Sequence, residues 1–264
     1  MKISVIIPAY NNSLIDVSIT LDSLVNQTFK DFDVIVVDDN NIKDVRALIS
    51  SYSTKFKIKH IINTQRQGIA SSINIGIQQS TSNYIARLDF GDVCFDNRLE
   101  TQFYFLEKNK NIVVCGSNIE LFNDDKTLGK VVYPENHFKI LKGFIFHSPI
   151  AHPSVMFRKK DIEEVGAYSE KLFFGEDVDL WLKLIKNEKK FFNIQEVLLR
   201  YKYEAAYRKK EHYKNILRLR LKHFYNLPFY ISVLGIILTL INLILPNKFL
   251  GLIRTKFLSS NNHV

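Results

Sequence analysis

Short runs of β-forming residues alternate with amphipathic segments between Ile3 and Leu88. The β-forming runs lie at residues 3–7, 32–37, 58–62 and 84–88. Segments with apolar residues at helical spacing separate them, at residues 14–25, 45–49 and 69–77, with Ser13 as a candidate N-cap. Strands that alternate with helices in this way are typical of βαβ units. The pattern therefore predicts an α/β fold with a mostly parallel sheet.

Polar residues follow these predicted strands directly. In chain order they are Tyr10, Asp38, Asp39, Arg66, Asp89 and Asp92. Because βαβ crossovers are right-handed, the loops after the strands gather along one edge of the sheet, where α/β proteins bind ligands. Asp89 and Asp92 are three positions apart, which suits a divalent cation carrying phosphate oxygens. A tight turn whose aspartates cap the next helix accounts for the same two residues without a ligand.

The pattern is less regular after Asp92. It predicts helices at residues 97–106 and 138–146 and strands at residues 112–122 and 154–157. An acidic turn at residues 175–179 (Gly-Glu-Asp-Val-Asp) then opens an amphipathic helix that contains Trp181. Acidic residues stabilise a helix N-terminus, so capping is one explanation for this turn and a functional site is the other.

The last part of the chain combines positive charge with an almost wholly apolar stretch, residues 227–245. Basic residues crowd the segment before it, namely Arg208, Lys209, Lys210, Lys214, Arg218, Arg220 and Lys222. A bilayer span needs about 20 apolar residues, which this stretch only just reaches. A helix in the membrane interface, a true span or hairpin, and a helix docked on the rest of the protein are all compatible with it. The positive charge on both sides, which continues at residues 249–258, favours membrane association.

Composition narrows the classes of protein. With 46% hydrophobic residues among 264, the chain can bury a large core, which excludes a disordered protein. A formal net charge of +9 suggests a polyanionic partner, but the sequence has no aromatic and basic platform for nucleic acid. Cys94 and Cys115 have no paired spacing, and the apolar start is too short for a signal peptide. We therefore expect a cytoplasmic catalytic part with reduced thiols.

In their order along the chain, several segments resemble the inverting glycosyltransferases of family 2, whose nucleotide-sugar-binding α/β domain is called GT-A. The resemblance rests on residues 5–11, 36–39, 68–77, 84–89, 97–100, 152–157, 166–168 and 176–181. It covers residues 1–205, which we expect to form the GT-A domain. Residues 206–264 are expected to form a basic and apolar helical tail associated with a membrane.

For the donor, the resemblance implies a nucleotide site at the ends of the first strands. Asp38 is expected to hydrogen-bond the base, with Asp39 and the loop from Pro8 to Tyr10 beside it. Arg66 either reaches the same pocket or the phosphates, or is a solvated loop residue. The implied donor is a nucleotide-diphosphate sugar, with UDP as the expected nucleotide.

The predicted metal loop departs from the family pattern. Family members usually carry Asp-x-Asp, whose second aspartate binds the cation, whereas this chain has Asp89-Phe90-Gly91-Asp92. Asp89 is expected to contact the ribose or a divalent cation, Mn²⁺ or Mg²⁺. Asp92 is expected to join it, because Gly91 loosens the turn. Weak metal binding, a metal-independent enzyme and a degenerate copy are the alternatives.

On the acceptor side, the resemblance implies that Asp177 is the general base for the acceptor hydroxyl and that Glu176 shapes the acceptor site. His152 is either an acceptor contact or a structural residue of its proline-flanked loop. Trp181 has helical spacing with Leu184, which favours core packing, while stacking on a sugar would require an exposed ring.

The resulting hypothesis is transfer of a single sugar, because the Gln-x-x-Arg-Trp motif of processive family members is absent from the sequence. The expected acceptor is a lipid-linked saccharide in the assembly of a bacterial surface polysaccharide, such as O-antigen, capsule or lipooligosaccharide. The expected location is the inner face of the cytoplasmic membrane. The alternative is a catalytically silent relative that binds nucleotide-sugar or glycan as a scaffold of an assembly complex.

Overall fold

The computed structural model describes residues 1–40, 43–123, 126–146, 148–172, 174–203 and 210–244. Its strands are β1 (Ile3–Ala9), β2 (Phe32–Asp38), β3 (Lys57–Ile62), β4 (Tyr84–Arg87), β5 (Val93–Cys94), β6 (Ile112–Asn123), β7 (Lys126–Val131), β8 (Met156–Arg158) and β9 (Lys190–Lys202). Its α-helices are α1 (Leu14–Val25), α2 (Lys43–Ser51), α3 (Ile69–Gln79), α4 (Arg98–Lys108), α5 (His137–Gly143), α6 (Lys159–Glu164), α7 (Glu176–Lys186), α8 (Lys210–Lys222) and α9 (Phe229–Ile244). The alternation of strands and helices up to β4 confirms the predicted α/β fold.

The strands in the described ranges form one mixed sheet in the order β3-β2-β1-β4-β8-β6-β9-β5, with β7 beside β6. Strands β1 to β4 run parallel to one another, and β6 runs parallel to β9. Strand β8 runs antiparallel between β4 and β6. Because β1 to β4 point the same way, the loops after them share one edge of the sheet, as predicted.

Strand β1 lies between two hydrophobic cores. Its side chains alternate between the faces, so that Ile3, Val5 and Ile7 enter one core and Ile6 enters the other. Helices α1 and α2 cover the first face, and α3 and α7 cover the second. A strand buried on both faces is continuous in apolar residues, which explains why this run was recognisable in the sequence.

Helix α1 begins with the predicted cap. The Ser13 hydroxyl oxygen accepts a hydrogen bond from the Asp16 N–H at 3.1 Å, and the Asp16 carboxylate accepts one from the Ser13 N–H at 3.4 Å. This reciprocal pair satisfies two N–H groups that the helix leaves unpaired. The cap therefore fixes where the loop after β1 ends.

Several predicted boundaries in the second half need correction. The helix expected at residues 138–146 is α5, which ends at Gly143, and the strand expected at residues 154–157 is β8, preceded by a short 3₁₀ turn at His152–Ser154. Strand β9 was not predicted at all, although it pairs with β6 along most of its length. It matters for the site because its end at Lys202 reaches the loop after β4.

The tail is docked on helix α7 through a buried carboxylate. Asp179 Oδ1 lies 2.8 Å from both His223 Nε2 and Lys222 Nζ at the end of α8. Helix α9 buries Ile231, Ser232, Gly235 and Thr239 against the rest of the protein, as expected for a docked helix. Docking of this face is compatible with membrane association of the opposite face. No helix within the described ranges is both long and apolar enough to cross a bilayer. The predicted domain boundary at 205 and the segment at residues 249–258 lie outside the described residues.

A buried arginine on α4 joins two parts of the site. Arg98 is fully buried, and its Nη2 donates to the carbonyls of Arg87 at 2.7 Å and Pro153 at 2.9 Å. The first carbonyl closes β4 and the second belongs to the loop of His152. The guanidinium therefore holds the β4 end and this loop together.

We expect Arg98→Met to lower the free energy of unfolding by about 2–4 kcal/mol, because two buried carbonyls lose their donor. Urea denaturation measures this change. Arg218→Met, at an exposed position of α8, is the control and should change stability by less than about 0.5 kcal/mol. Equal effects of the two substitutions would contradict the role of Arg98 as a clamp.

Candidate active site

Asp38 is a buried carboxylate held in a fixed orientation at the end of β2. Its Oδ1 accepts a hydrogen bond from the Asn40 N–H at 2.8 Å, and its Oδ2 lies 3.2 Å from His60 Nε2. Such a carboxylate can accept from a base N–H without rearranging. The nucleotide contact of Asp38 stays a prediction.

Tyr10 and Arg66 form a stacked pair, here called the Tyr10–Arg66 ledge, in the loops next to the end of β2 that carries Asp38. The Arg66 guanidinium carbon lies 4.1 Å from the centre of the Tyr10 ring, and the ring is 41% exposed. Pro8 lies near the end of β1 and leads into this loop. The two planar groups come from the loops after β1 and β3, so the predicted convergence of Tyr10 and Arg66 is confirmed in its geometry. A cation–π stack of this kind favours an ordered Arg66 over a freely solvated one.

Asp39 has a different environment from its neighbour. Its Oδ2 accepts from the Gly68 N–H at 2.7 Å, and its Oδ1 accepts from the Asn63 side-chain amide. Its own N–H donates to the Ala9 carbonyl at 2.9 Å. Because both carboxylate oxygens bond to the β3–α3 loop, Asp39 holds that loop against β1 in this structure, and a direct nucleotide contact stays a prediction.

Arg87 and Asp89 form an ion pair at the end of β4. Arg87 Nη1 lies 2.6 Å from Asp89 Oδ2; the arginine is 3% exposed, whereas the aspartate reaches the crevice. Burial opposes the charge of Arg87, but the carboxylates of Asp89 and Asp92 outweigh it and raise the pKa of the guanidinium. From the sequence, Arg87 is predicted only as part of the strand at residues 84–88. The signal that could have found it is a charged residue inside an otherwise apolar, buried run.

Asp92 faces into the protein instead of the crevice. Its Oδ1 accepts a hydrogen bond from the Lys202 N–H of β9 at 2.9 Å. Burial and the nearby Asp89 carboxylate raise the pKa of Asp92 to about 8. Gly91 turns the chain with φ of +102°, a conformation that favours glycine. Asp92 thus lies near Asp89 but outside the crevice that Asp89 reaches, and its expected role as a second metal ligand stays a prediction.

Glu176 and Asp177 occupy the first turn of α7. The helix begins after Gly175, whose φ is +81°, and a Cβ there would lie 2.7 Å from Leu219 of α8. Asp177 Oδ2 accepts a hydrogen bond from the Ser148 hydroxyl at 3.3 Å. Burial raises the pKa of both carboxyls, and the charge of Asp177 adds to the effect on Glu176, whose pKa is raised to about 7. A carboxylate with such a pKa is suited to accept a proton near neutral pH.

His152 is a buried neighbour of this pair. Its Nε2 lies 2.9 Å from the Tyr168 hydroxyl and its Nδ1 lies 4.0 Å from Glu176 Oε1. Burial, and secondarily the charge of Arg87, hold the pKa of His152 well below its usual range, so the ring is neutral. These contacts support a structural role in placing Glu176, and contact with the acceptor stays a prediction.

Trp181 cannot stack on a sugar in this structure. Its side chain is 0% exposed and packs edge-on against the rings of His152 and Phe191. The proposed acceptor contact is therefore corrected in favour of core packing, which its helical spacing already indicated. The ring supports the site from below by packing against His152.

Asp89 at the end of β4 and the Glu176–Asp177 pair line one cavity of about 330 Å³, here called the central cavity. Asp38, Tyr10 and Arg66 are not among its lining residues. The polar groups on its inner wall are Arg87, Asp89, Ser148, His152, Glu176 and Asp177. Its outer wall comes from the tail helices α8 and α9, including Arg220 and Thr239. The volume lies at the lower end of the range for small-ligand sites. The contribution of the tail to this cavity is not predicted by the sequence pattern.

Comparison with known proteins identifies the class of enzyme to which this chain belongs. The chain is a glycosyltransferase, a transferase enzyme. Within that class it belongs to glycosyl transferase family 2, whose family model matches residues 4–166. The resemblance inferred from the sequence is thereby confirmed.

Two relatives are similar over most of the chain. An uncharacterized glycosyltransferase of Methanocaldococcus jannaschii is 34% identical over 204 residues, which are 76% of this chain and 70% of the relative. The UDP-Gal:alpha-D-GlcNAc-diphosphoundecaprenol beta-1,3-galactosyltransferase of Escherichia coli is 30% identical over 266 residues, 97% of this chain and 96% of the relative.

A solved structure supports the same fold. TarS of S. aureus, residues 1–349 in complex with UDP-GlcNAc, superimposes with a TM-score of 0.72 and 18% sequence identity. The match covers 91% of this chain and 72% of that one; of the longer TarS chain, this chain spans 41%. The expected GT-A type of α/β fold is therefore confirmed.

The Glu176–Asp177 pair predicts a pH dependence. We expect kcat/KM for sugar transfer to rise through about pH 7 as the pair loses its last proton. Glu176→Gln removes the negative charge next to Asp177. The rising limb of the pH profile of kcat/KM should therefore move to lower pH by roughly one unit. The exposed Glu196→Gln is the control, and an unchanged limb in Glu176→Gln would contradict the pairing.

The same pKa shift has a consequence for stability. Because the folded-state pKa of Glu176 lies above the ordinary value of 4.5, the native state binds more protons and the contribution of this group falls as pH rises from about 4.5 to 7. Urea denaturation measures this change. Between about pH 5 and about pH 8, the free energy of unfolding should decrease less for Glu176→Gln than for the wild type.

Proposed function

We propose that this chain is an inverting glycosyltransferase that moves one sugar from a nucleotide-diphosphate sugar to a hydroxyl of a saccharide acceptor. The observation that carries the proposal is the Asp177 carboxylate. It is partly buried, has a raised pKa and lines the same cavity as Asp89. A single base facing the reacting carbon is what direct displacement with inversion requires.

The proposed donor site is the crevice at the ends of β1 to β4. In this proposal Asp38 accepts a hydrogen bond from the nucleotide base, and the plane of the base stacks on the Tyr10–Arg66 ledge. Asp89 faces the ribose and the diphosphate. UDP is the proposed nucleotide, supported by the UDP-Gal in the name of the E. coli relative and the UDP-GlcNAc in the TarS complex.

Asp89 is the proposed protein ligand of a divalent cation, Mg²⁺ or Mn²⁺. Among the described residues no group of three His, Cys, Asp or Glu side chains could hold a metal. The partly exposed Asp89 carboxylate nevertheless fits an ion held by one carboxylate and the donor phosphates, an arrangement that Mg²⁺ commonly adopts. Such an ion would offset the charge that builds on the departing diphosphate.

In the proposed reaction, the acceptor oxygen forms a bond to the anomeric carbon while the bond from that carbon to the diphosphate breaks. Asp177 accepts the proton of the hydroxyl, and the diphosphate leaves with the bonding electrons. Arg87 keeps Asp89 in place, and the Ser148 hydroxyl orients Asp177 by its hydrogen bond. Glu176 and the neutral His152 shape the wall beside the acceptor.

The proposed acceptor is lipid-linked, and the proposed location is the inner face of the cytoplasmic membrane. On α9 the residues that pack inward are Ile231, Ser232, Gly235 and Thr239, whereas large apolar side chains point outward. Phe229 and Ile244 at its two ends are 73% and 79% exposed. An exposed apolar face beside the basic α8 is typical of a helix that lies in a membrane interface. The lipid-linked sugar in the name of the E. coli relative supports the same acceptor class.

Asp177→Asn tests the catalytic assignment. We expect the turnover rate to fall about 10²–10⁴-fold, because the amide cannot accept the proton. Calorimetric titration should give the same UDP affinity as the wild type. The exposed Asp96→Asn is the control, and full activity of Asp177→Asn would sink the assignment of the base.

Gly91 at the place of the usual second aspartate favours a second candidate, a silent nucleotide-sugar-binding scaffold. The two candidates differ in turnover. Consumption of UDP-sugar above background by the purified wild type, and not by Asp177→Asn, would exclude the scaffold.

Membrane binding through α9 is tested with two outward-facing residues. We expect Leu234→Asp with Ile241→Asp to weaken binding to anionic phospholipid vesicles at least about tenfold, since two exposed apolar side chains proposed to enter the membrane interface become charged. Leu128→Asp, at an exposed apolar position of β7, is the matched control. Vesicle flotation measures both, and equal binding of the two variants would contradict the proposed surface.

A further inference from the structure

Arg220 is a half-buried cation on the outer wall of the central cavity. Its Nη2 donates to the Ile145 carbonyl at 3.3 Å, and its Nε is buried without a hydrogen-bond partner among the described residues. Within the same ranges it forms no ion pair, whereas its neighbour Lys222 pairs with Asp179 at 2.8 Å. A guanidinium with a buried, unpartnered N–H at the wall of a cavity is suited to bind an anionic ligand there.

The surrounding helix makes room for this side chain. A Cβ at Gly235 of α9 would lie 1.7 Å from Arg220 Nη1, so the guanidinium occupies the notch that this glycine leaves. The Thr239 hydroxyl, one turn further along α9, also lines the cavity. Burial alone lowers the pKa of Arg220, to about 10, which leaves it charged at neutral pH. The site is therefore a fixed positive charge inside a cavity.

The lining of the cavity combines three kinds of group. Glu176 and Asp177 of α7 contribute carboxyls, and Arg220 of α8 contributes a positive charge. Its apolar lining residues include Phe144, Phe146, Ile216, Leu227 and Leu238. Helix α9, which also lines the cavity, carries an exposed apolar face. A molecule that contains a hydroxyl, a phosphate and a hydrocarbon chain matches these three kinds of group.

We propose that Arg220 binds the phosphate or diphosphate group of the acceptor, between the sugar at Asp177 and the lipid at α9. This inference rests on the proposed function of the carboxylate end. A guanidinium offers paired N–H donors that match phosphate oxygens, and such charge-assisted bonds are among the strong ones. Arg220 would thereby select acceptors that carry a phosphate over neutral glycosides.

The first test is binding of octyl diphosphate below its micelle concentration, measured by calorimetry without donor. Arg220→Gln should weaken binding at least about tenfold. Arg218→Gln is the matched control, because it removes the same charge from an exposed position of the same helix. We expect it to bind like the wild type. No binding by the wild type, or equal weakening in both variants, would overturn the proposal.

The second test separates possible sources of the phosphate. Arg220→Gln should leave UDP affinity and binding to phosphatidylglycerol vesicles unchanged. A loss of UDP affinity with octyl diphosphate binding retained would assign Arg220 to the donor. A loss confined to the vesicles would assign it to a lipid headgroup. Either result would overturn the proposal that Arg220 binds the phosphate of the acceptor.

The third test uses transfer itself, with N-acetylglucosamine joined to an octyl chain either through diphosphate or directly as a glycoside. Arg220→Gln should raise KM at least about tenfold for the diphosphate acceptor only. Equal increases for both acceptors would indicate a structural role and overturn the proposal. If no variant transfers sugar but octyl diphosphate binding still depends on Arg220, the proposed function fails and the anion site stands.

Discussion

The buried positive charge of Arg87 is the interaction on which the crevice depends. Four carboxyl groups, those of Asp89, Asp92, Glu176 and Asp177, gather around the end of β4, and burial raises the pKa of the last three. Arg87 pairs directly with Asp89 and lowers the pKa of the other three against the effect of burial. In return, Asp89 and Asp92 keep the guanidinium charged despite its burial. Arg87, a charged residue in an otherwise apolar strand, thus allows four carboxyl groups to lie close together at one edge of the sheet.

The acidic turn of α7 serves two purposes because of helix geometry. Successive residues of a helix are rotated by about 100°, so Asp177 and Asp179 point to nearly opposite sides. Asp177 lines the central cavity, and Asp179 bonds to Lys222 and His223 of the tail. Stabilisation of the helix N-terminus and a functional site were alternatives in the sequence, but the turn supports both. It also couples the two halves of the cavity, since the helix that carries the carboxylates holds the tail that covers them.

The first four strands and their loops were predictable because each depends on local sequence. A buried strand is a continuous apolar run, and the Ser13 cap is contained within four residues. The orientation of Asp92 was not predictable in this way. Its carboxylate bonds to the N–H of Lys202, which is 110 positions away on a strand that the periodicity did not reveal. The docking of α9 was equally hidden, because an apolar helix has the same composition whether it faces lipid or protein.

The polarity of α9 supports the proposed place of the tail on the acceptor side of the enzyme. A helix docked only to fill a core would bury its largest apolar residues, whereas α9 packs Ser232, Gly235 and Thr239 inward and leaves Leu234 and Ile237 partly exposed. Small residues are needed inward because the Arg220 guanidinium occupies the notch at Gly235. The outward apolar face gains nothing from the protein and therefore needs another apolar phase. One helix thus borders both the cavity that ends at Asp177 and the surface suited to lipid, which fixes the distance between them.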